Sequence, residues 1–282
     1  MKIADGIYFI EGRNRGRYPY CNSLIVGNIL IDAGCGIDVV RELSEKVDFL
    51  LLTHTHPDHA AGAWIFNEVG KKVLSPNVET EIEVLAKRFA PPLAEKWMKV
   101  VSEVMGLRSF KAEKYESGEI IKASNHEIET IKVEGHTKDM HVFLVDGKIL
   151  FGADVDLTKF GPWYGNPESD PEKFEKSVRK LENLDFEVYV SSHERIFGRE
   201  EALKKLEEFV SHFKKREEKI LEALRTPKSL EELVRLSPIY GKKNSLFKEL
   251  LDYFEGNMIK KHLEILMRKG KVTKIGEKFV KN

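Results

Sequence analysis

Residues 53–59 read Thr53-His54-Thr55-His56-Pro57-Asp58-His59 and follow directly on the apolar run Phe49-Leu50-Leu51-Leu52. No other stretch constrains the chain as much as these three imidazoles and one carboxylate. An apolar run of this kind delivers the backbone to a sheet edge. The loop beyond it can then turn several neutral imidazole nitrogens toward one point, which is what binding a divalent cation requires. The fold must therefore offer a strand end opening on a cleft.

The surrounding sequence supplies such a sheet. Residues 7–10, 23–26 and 29–31 are short β-type runs, and Gly27-Asn28 between the last two is a tight hairpin signal. A helix over 37–44, a buried strand over 49–52 and a helix over 60–69 follow. Residues 77–89 and 93–105 read as two helices broken by Pro91-Pro92, an insertion long enough to cover part of a pocket. Strands resume at 128–133, 141–145 and 149–151, with Asp146-Gly147 as a second hairpin turn, before a helix over 171–181 and a strand over 188–191. Strands and helices thus recur in two similar halves. Two mixed sheets face to face with helices outside account for that order, a four-layer αββα sandwich with its functional loops along one edge.

Residues 199–224 form a long amphipathic helix ended by Thr226-Pro227. Short helices are expected at 230–236, 246–254 and 258–268, then a hairpin of 271–275 and 278–281 around Gly276-Glu277. Three helices and a hairpin predict a small C-terminal winged-helix domain over 206–282, joined to a catalytic domain over 1–205. At 282 residues and 41% hydrophobic, the chain has enough apolar surface for a large core and a small second unit.

The first ten residues lack an apolar signal segment, and no run of about 18 apolar residues exists, so a soluble cytoplasmic protein without membrane contact is expected. Two cysteines, Cys21 and Cys35, are too few for a disulfide framework and are expected free and buried. Formal net charge is zero, yet residues 211–282 carry 18 Lys+Arg against 10 Asp+Glu. That excess allows the tail to meet an anionic partner, and a solvated lysine-rich surface accounts for it equally.

Three later residues share the setting of the first motif, each closing a β-run at a loop. His136 lies in Glu134-Gly135-His136-Thr137, Asp154 in Phe151-Gly152-Ala153-Asp154, and His193 in Ser191-Ser192-His193-Glu194. Together these motifs resemble the metallo-β-lactamase superfamily, over residues 1 to about 200. The resemblance implies that His54, His56 and His136 bind one metal ion, that Asp58, His59 and His193 bind a second, and that Asp154 bridges the two. Asp32, in Asp32-Ala33-Gly34, matches an early family motif that supports the site. It further implies a water shared by two divalent ions as nucleophile. Zinc is the first choice for imidazole and carboxylate ligands, and manganese or iron suits the same set.

With that chemistry the expected activity is hydrolysis of an acyl centre, a thioester, ester or lactone, on a small-molecule substrate. Ser192-His193-Glu194 comes near the closing motif of glyoxalase II-like hydrolases. The alternative is a phosphodiesterase or ribonuclease acting on single-stranded nucleic acid, because the layout is also similar to lactamase-like ribonucleases with a winged helix. Lys260, Lys261, Arg268, Lys269 and Lys271 would then form its phosphate-binding face. Asp58 and His141 are the candidate catalytic side chains, and Phe160, Trp163 and Tyr164 are candidates for lining a pocket. A homodimer through the winged helix is a further expectation.

Overall fold

The computed structural model describes residues 1–241 and 247–282. Seven strands form the first sheet, in chain order: β1 (Lys2–Ala4), β2 (Ile7–Ile10), β3 (Ser23–Val26), β4 (Ile29–Ile31), β5 (Phe49–Leu51), β6 (Lys72–Ser75) and β7 (Glu113–Lys114). β1 to β4 pair antiparallel and β4 to β7 parallel. The second sheet holds β8 (Ile120–Ala123), β9 (His126–Lys132), β10 (His141–Val145), β11 (Ile149–Phe151), β12 (Val188–Val190) and β13 (Ile196–Gly198). Only β11 and β12 run parallel there.

Period-two alternation sorts side chains into three cores and so makes four layers. Ile29, Ile31 and Leu51 from the first sheet meet Ile128, Phe143, Val145 and Phe151 from the second in the central core. Leu30, Leu50 and Leu52 point the other way, against α1 (Ile37–Ser44), α3 (Ala63–Glu68), α4 (Ile82–Phe89) and α5 (Ala94–Val100). A four-residue helix, α2 (Pro57–Ala60), precedes α3. Val142, Leu144 and Leu150 pack outward on α6 (Pro171–Leu181) and α7 (Arg199–Ala223). The four-layer αββα expectation holds.

Beyond α7 lie β14 (Lys228–Ser229), α8 (Leu230–Leu236), α9 (Lys248–Arg268), β15 (Val272–Ile275) and β16 (Lys278–Lys281), with strand order β14-β16-β15. Leu233, Met258, Ile259, Leu263 and Leu266 belong to the same buried cluster as α6 and α7. The tail is packed on the sandwich rather than hung beside it.

Several expectations need correction. The helices expected over 246–254 and 258–268 are one helix, α9, with Leu246 outside the described residues. Burial on one face of α9 outweighs the helix cost of Gly256, about 1 kcal/mol. The helix expected over 60–69 is split into α2 and α3 at Gly62, whose added Cβ would strike Val40 at 2.7 Å. Residues 77–81 are not helical, because the Asn77 side chain makes its own turn, accepting from the Glu79 amide and donating to the Glu79 carbonyl. Strands β1, β6, β7, β8, β13 and β14 escaped notice, being two to four residues long and, β6 apart, at sheet edges.

Candidate metal centre

β5 ends at Leu51, and His56 caps α2 in extended geometry with Pro57 in the first helical turn, where its fixed φ favours helix. That sharp change of direction sends His54, His56, Asp58 and His59 into one cleft. His136 follows β9, Asp154 follows β11 and His193 follows β12, all along the same edge of the sandwich. Gly34, in the turn after β4, approaches so closely that an added Cβ would lie 1.5 Å from the Asp58 carbonyl oxygen.

All seven side chains converge, and all are nearly buried. Asp154 is central: its carboxylate lies 2.7 Å from His59 Nε2, 2.8 Å from His136 Nε2, 3.3 Å from His193 Nε2, 3.8 Å from His54 Nε2 and 3.9 Å from His56 Nδ1. Asp58 Oδ2 lies 3.4 Å from His193 Nε2 and 3.9 Å from His59 Nε2. Two groups result, each able to present its donor atoms within 4.8 Å of one another: His54, His56, His136, Asp154 and Asp58, His59, Asp154, His193.

The outward-facing nitrogens of the rings are each tied to a partner. His59 Nδ1 contacts Asp32 Oδ2 at 2.7 Å, His136 Nδ1 the Trp163 carbonyl at 2.8 Å, and His193 Nδ1 the Gly16 carbonyl at 2.7 Å. His54 Nδ1 lies 3.0 Å from Thr53 Oγ1, and His56 Nε2 2.5 Å from the Asn166 amide. Carboxylate and carbonyl oxygens only accept, so His59, His136 and His193 donate from Nδ1 and aim an Nε2 lone pair inward. Asp32 is itself fixed by the Thr53 amide, at 2.8 Å, and the Thr53 hydroxyl.

Part of the inward set lacks that provision. His54 Nε2, His59 Nε2 and Asp154 Oδ1 are buried without a hydrogen-bond partner, although His59 Nε2 and Asp154 Oδ1 are close in space. His136 Nε2 and His56 Nδ1 face each other at 2.7 Å, a hydrogen bond in which one of the two ring nitrogens carries the proton. Orphaned buried donors of this kind are costly unless a ligand satisfies them, so the donor set fits divalent cations.

Without cations, protons supply part of their charge. Burial pushes His54 well below its ordinary 6.5 and His56 below it too, helped by the neighbouring imidazoles. Burial opposes protonation at His59 and His193 as well, but there the carboxylates prevail: His59 is raised well above 6.5, and His193 to about 9 by its hydrogen bond to Asp154. Burial would raise Asp154, yet His59 and His136 hold it well below the usual carboxylate range.

Other expected residues lie elsewhere. Odd-numbered residues of β10 face the central core, so the His141 ring packs on Tyr115 at 5.1 Å and its Nδ1 on the Asp139 carbonyl. Among the described residues, no hydrogen bond, ion pair or ring contact joins His141 to the seven, and its Nε2 is buried without a hydrogen-bond partner. Tyr164 is buried, bonded through its hydroxyl to His262 and stacked on Phe213; Phe160 lies against Tyr240. Trp163 does wall the site, its ring 5.5 Å from His56. Cys21 and Cys35 are free and buried.

Sequence reading missed Asn166 and Arg88. Arg88, on α4, donates to Glu168, Asp139 and Thr55 Oγ1, joining the loops that follow β5, β9 and β11. A basic residue on an amphipathic helix gave no sign of this. Among the described residues no helix is long and apolar enough to cross a membrane.

The sequence matches the model of the metallo-beta-lactamase superfamily over residues 17–193. Solved structures with the same fold include a metallo-beta-lactamase family protein from Thermus thermophilus, 20% identical with a TM-score of 0.75, in which both chains are covered in full. A beta-lactamase domain protein from Burkholderia ambifaria, 16% identical, aligns over 100% of this chain and 93% of its own with a TM-score of 0.73. An archaeal metallo-beta-lactamase superfamily protein from Sulfolobus tokodaii, 18% identical, aligns over 92% of this chain and 98% of its own with a TM-score of 0.51. With motif, sandwich and converging donors all in place, the chain belongs to the metallo-β-lactamase superfamily.

Proposed function

We propose that the chain is a metal-dependent hydrolase that holds two divalent cations, zinc by first choice, and cleaves an acyl bond in a small thioester, ester or lactone. The observation carrying this reading is the convergence of seven donors, five of them imidazoles braced on their outward nitrogens, with His54 Nε2, His59 Nε2 and Asp154 Oδ1 buried without a hydrogen-bond partner. His54, His56 and His136 would hold one cation, Asp58, His59 and His193 the other, with Asp154 between. Such cations supply Lewis-acid polarisation and water activation near neutral pH.

The chain's own residues do the rest. Asp58, buried on the wall of the second group, would accept a proton from an attacking water, and Asp32 bonded to Nδ1 would hold the His59 ring. Trp163 and Phe89, whose ring lies 4.7 Å from the His56 ring, exclude bulk water from that side. The order α7, β14, α8, α9 and the β15–β16 hairpin supports reading residues 206–282 as a winged-helix-like unit. Its basic face favours the acyl substrate over nucleic acid, because Lys261, Arg268 and Lys269 are already engaged with Asn166, Glu172 and Glu217.

A second reading, phosphodiester cleavage in single-stranded nucleic acid, is favoured by one feature. Arg15 and Arg17 are exposed, without an ion pair among the described residues, on either side of Gly16, whose carbonyl holds His193. Assays of metal-loaded protein against a thioester and lactone panel and against labelled RNA, with His56→Ala as control, separate the readings. Acyl turnover lost in His56→Ala is expected. RNA cleavage lost in His56→Ala, with no acyl turnover, reverses the ranking.

A further inference from the structure

The five rings are supported from two different directions, and His54, on Thr53 Oγ1 that is itself held by Asp32, is supported from the side of the first sheet. His59 rests on Asp32, at the end of β4, and His193 on Gly16, in the loop between β2 and β3; both supports belong to the first sheet and its connections. His56 and His136 rest instead on Asn166 and Trp163, in the loop between β11 and α6. Ser169 of the same loop donates to the His136 carbonyl at 2.6 Å.

That loop is gripped on its far side by the C-terminal elements. Lys261 Nζ donates to the Asn166 carbonyl at 2.6 Å, and Asn257 Nδ2 to the Gly165 carbonyl at 2.8 Å, both from α9. Trp163 Nε1 donates to the Tyr240 hydroxyl at 2.6 Å, and the Trp163 ring meets Phe254 at 5.3 Å. Buried Arg216, on α7, donates to the Phe160 carbonyl at 2.7 Å and to the Pro162 carbonyl. Loop segments usually tolerate displacement, but one held by a buried cation, an amide and a packed indole has a single arrangement.

We infer that the C-terminal unit is a positioning element for one cation site only: α9, acting through Asn166 and Trp163, sets the affinity of the His54/His56/His136 site and leaves the Asp58/His59/His193 site to the first sheet. This rests on the two-cation reading above. Outer partners of ligating histidines affect metal affinity by about 10- to 100-fold. Linkage is reciprocal, so loading the first site also tightens α9 on the loop, and a partner that lifts α9 releases that cation first.

The test uses the full-length chain, stripped of metal and titrated with zinc against a chromophoric chelator to resolve two binding steps. In Lys261→Ala/Asn257→Ala, one binding constant is expected to fall about 10- to 100-fold while the other stays within about twofold. His193→Ala is expected to remove the step that the double variant leaves unchanged, and Lys261→Arg, which keeps a donor, to restore most of the first. Should the double variant not fold, Lys261→Ala alone gives the same selective loss in smaller measure. Both constants unchanged, or both falling together, overturns the inference while leaving the two-cation reading intact. Wild-type protein that takes up fewer than two ions overturns both.

Discussion

At the scale of single residues, what matters is which atoms are tied off and which are left facing the cleft. In metal-free protein, burial opposes a charge on His193, but Asp154 lifts it to about 9, against 6.5 in the unfolded chain. A raised folded value contributes stability in full below about 6.5, and that contribution is lost as pH rises through about 9. His59 is raised too, whereas His54 and His56 are lowered and so uncharged in both states above 6.5; burial lowers Lys261 to about 8, which opposes the fall above pH 8 and leaves the slope between about 6.5 and 8 to the raised pair. Urea midpoints of metal-free protein should therefore fall between about pH 6.5 and 8, by about 2 kcal/mol in His193's share. A flat profile would show that the carboxylates do not hold those protons.

Arg88 gives a second prediction at this scale. Its guanidinium is 9% exposed between Asp139 and Glu168, so Arg88→Ala leaves Asp139 nearly buried without its cation and Glu168 with only Lys138, at 3.8 Å. A loss of about 3–5 kcal/mol in chemical denaturation is expected. A cost under about 1 kcal/mol would mean that the loops do not depend on it. The seven converging side chains were legible in sequence because each stands at the end of a β-run in a tight local pattern. Of their supports only Asp32 was, since the carbonyls of Gly16 and Trp163 carry no residue-type signal, and Arg88 and Asn166 arrive from distant stretches.

Elements place the site through close approach. Gly34 sits against the backbone of α2, and a methyl group there would overlap the Asp58 carbonyl oxygen. Either the turn after β4 or the turn carrying Asp58 and His59 must shift. Gly34→Ala is thus expected to lose at least one bound cation by elemental analysis while keeping its far-ultraviolet dichroism; full metal content would show the two turns to be independent. The inner strands were readable from alternation alone: Ile29 and Ile31 face one core and Leu30 the other. Edge strands such as β7, two exposed residues long, have no such pattern, and the continuity of α9 depends on packing that no local signal at Gly256 reveals.

For the whole molecule, the decisive fact is that one apolar cluster runs from the outer face of the second sheet through α6 and α7 into α8 and α9. A tail with its own separate core could unfold first; this one cannot leave without exposing that sheet face. Near- and far-ultraviolet dichroism should therefore report one coincident urea transition, and a separate early step would divide the molecule in two. The charge excess of residues 211–282 was visible in sequence, but not that much of it is spent on contacts such as Arg268 with Glu172 and Lys269 with Glu217.

The central claim is that seven side chains from four strand ends hold two cations. Anomalous diffraction from crystals of the zinc-loaded chain tests it directly. Two peaks per chain are predicted, one enclosed by His54, His56 and His136 and one by Asp58, His59 and His193, with Asp154 between them. A single peak at saturating metal, or His136 and His193 turned out of the cleft, would contradict it.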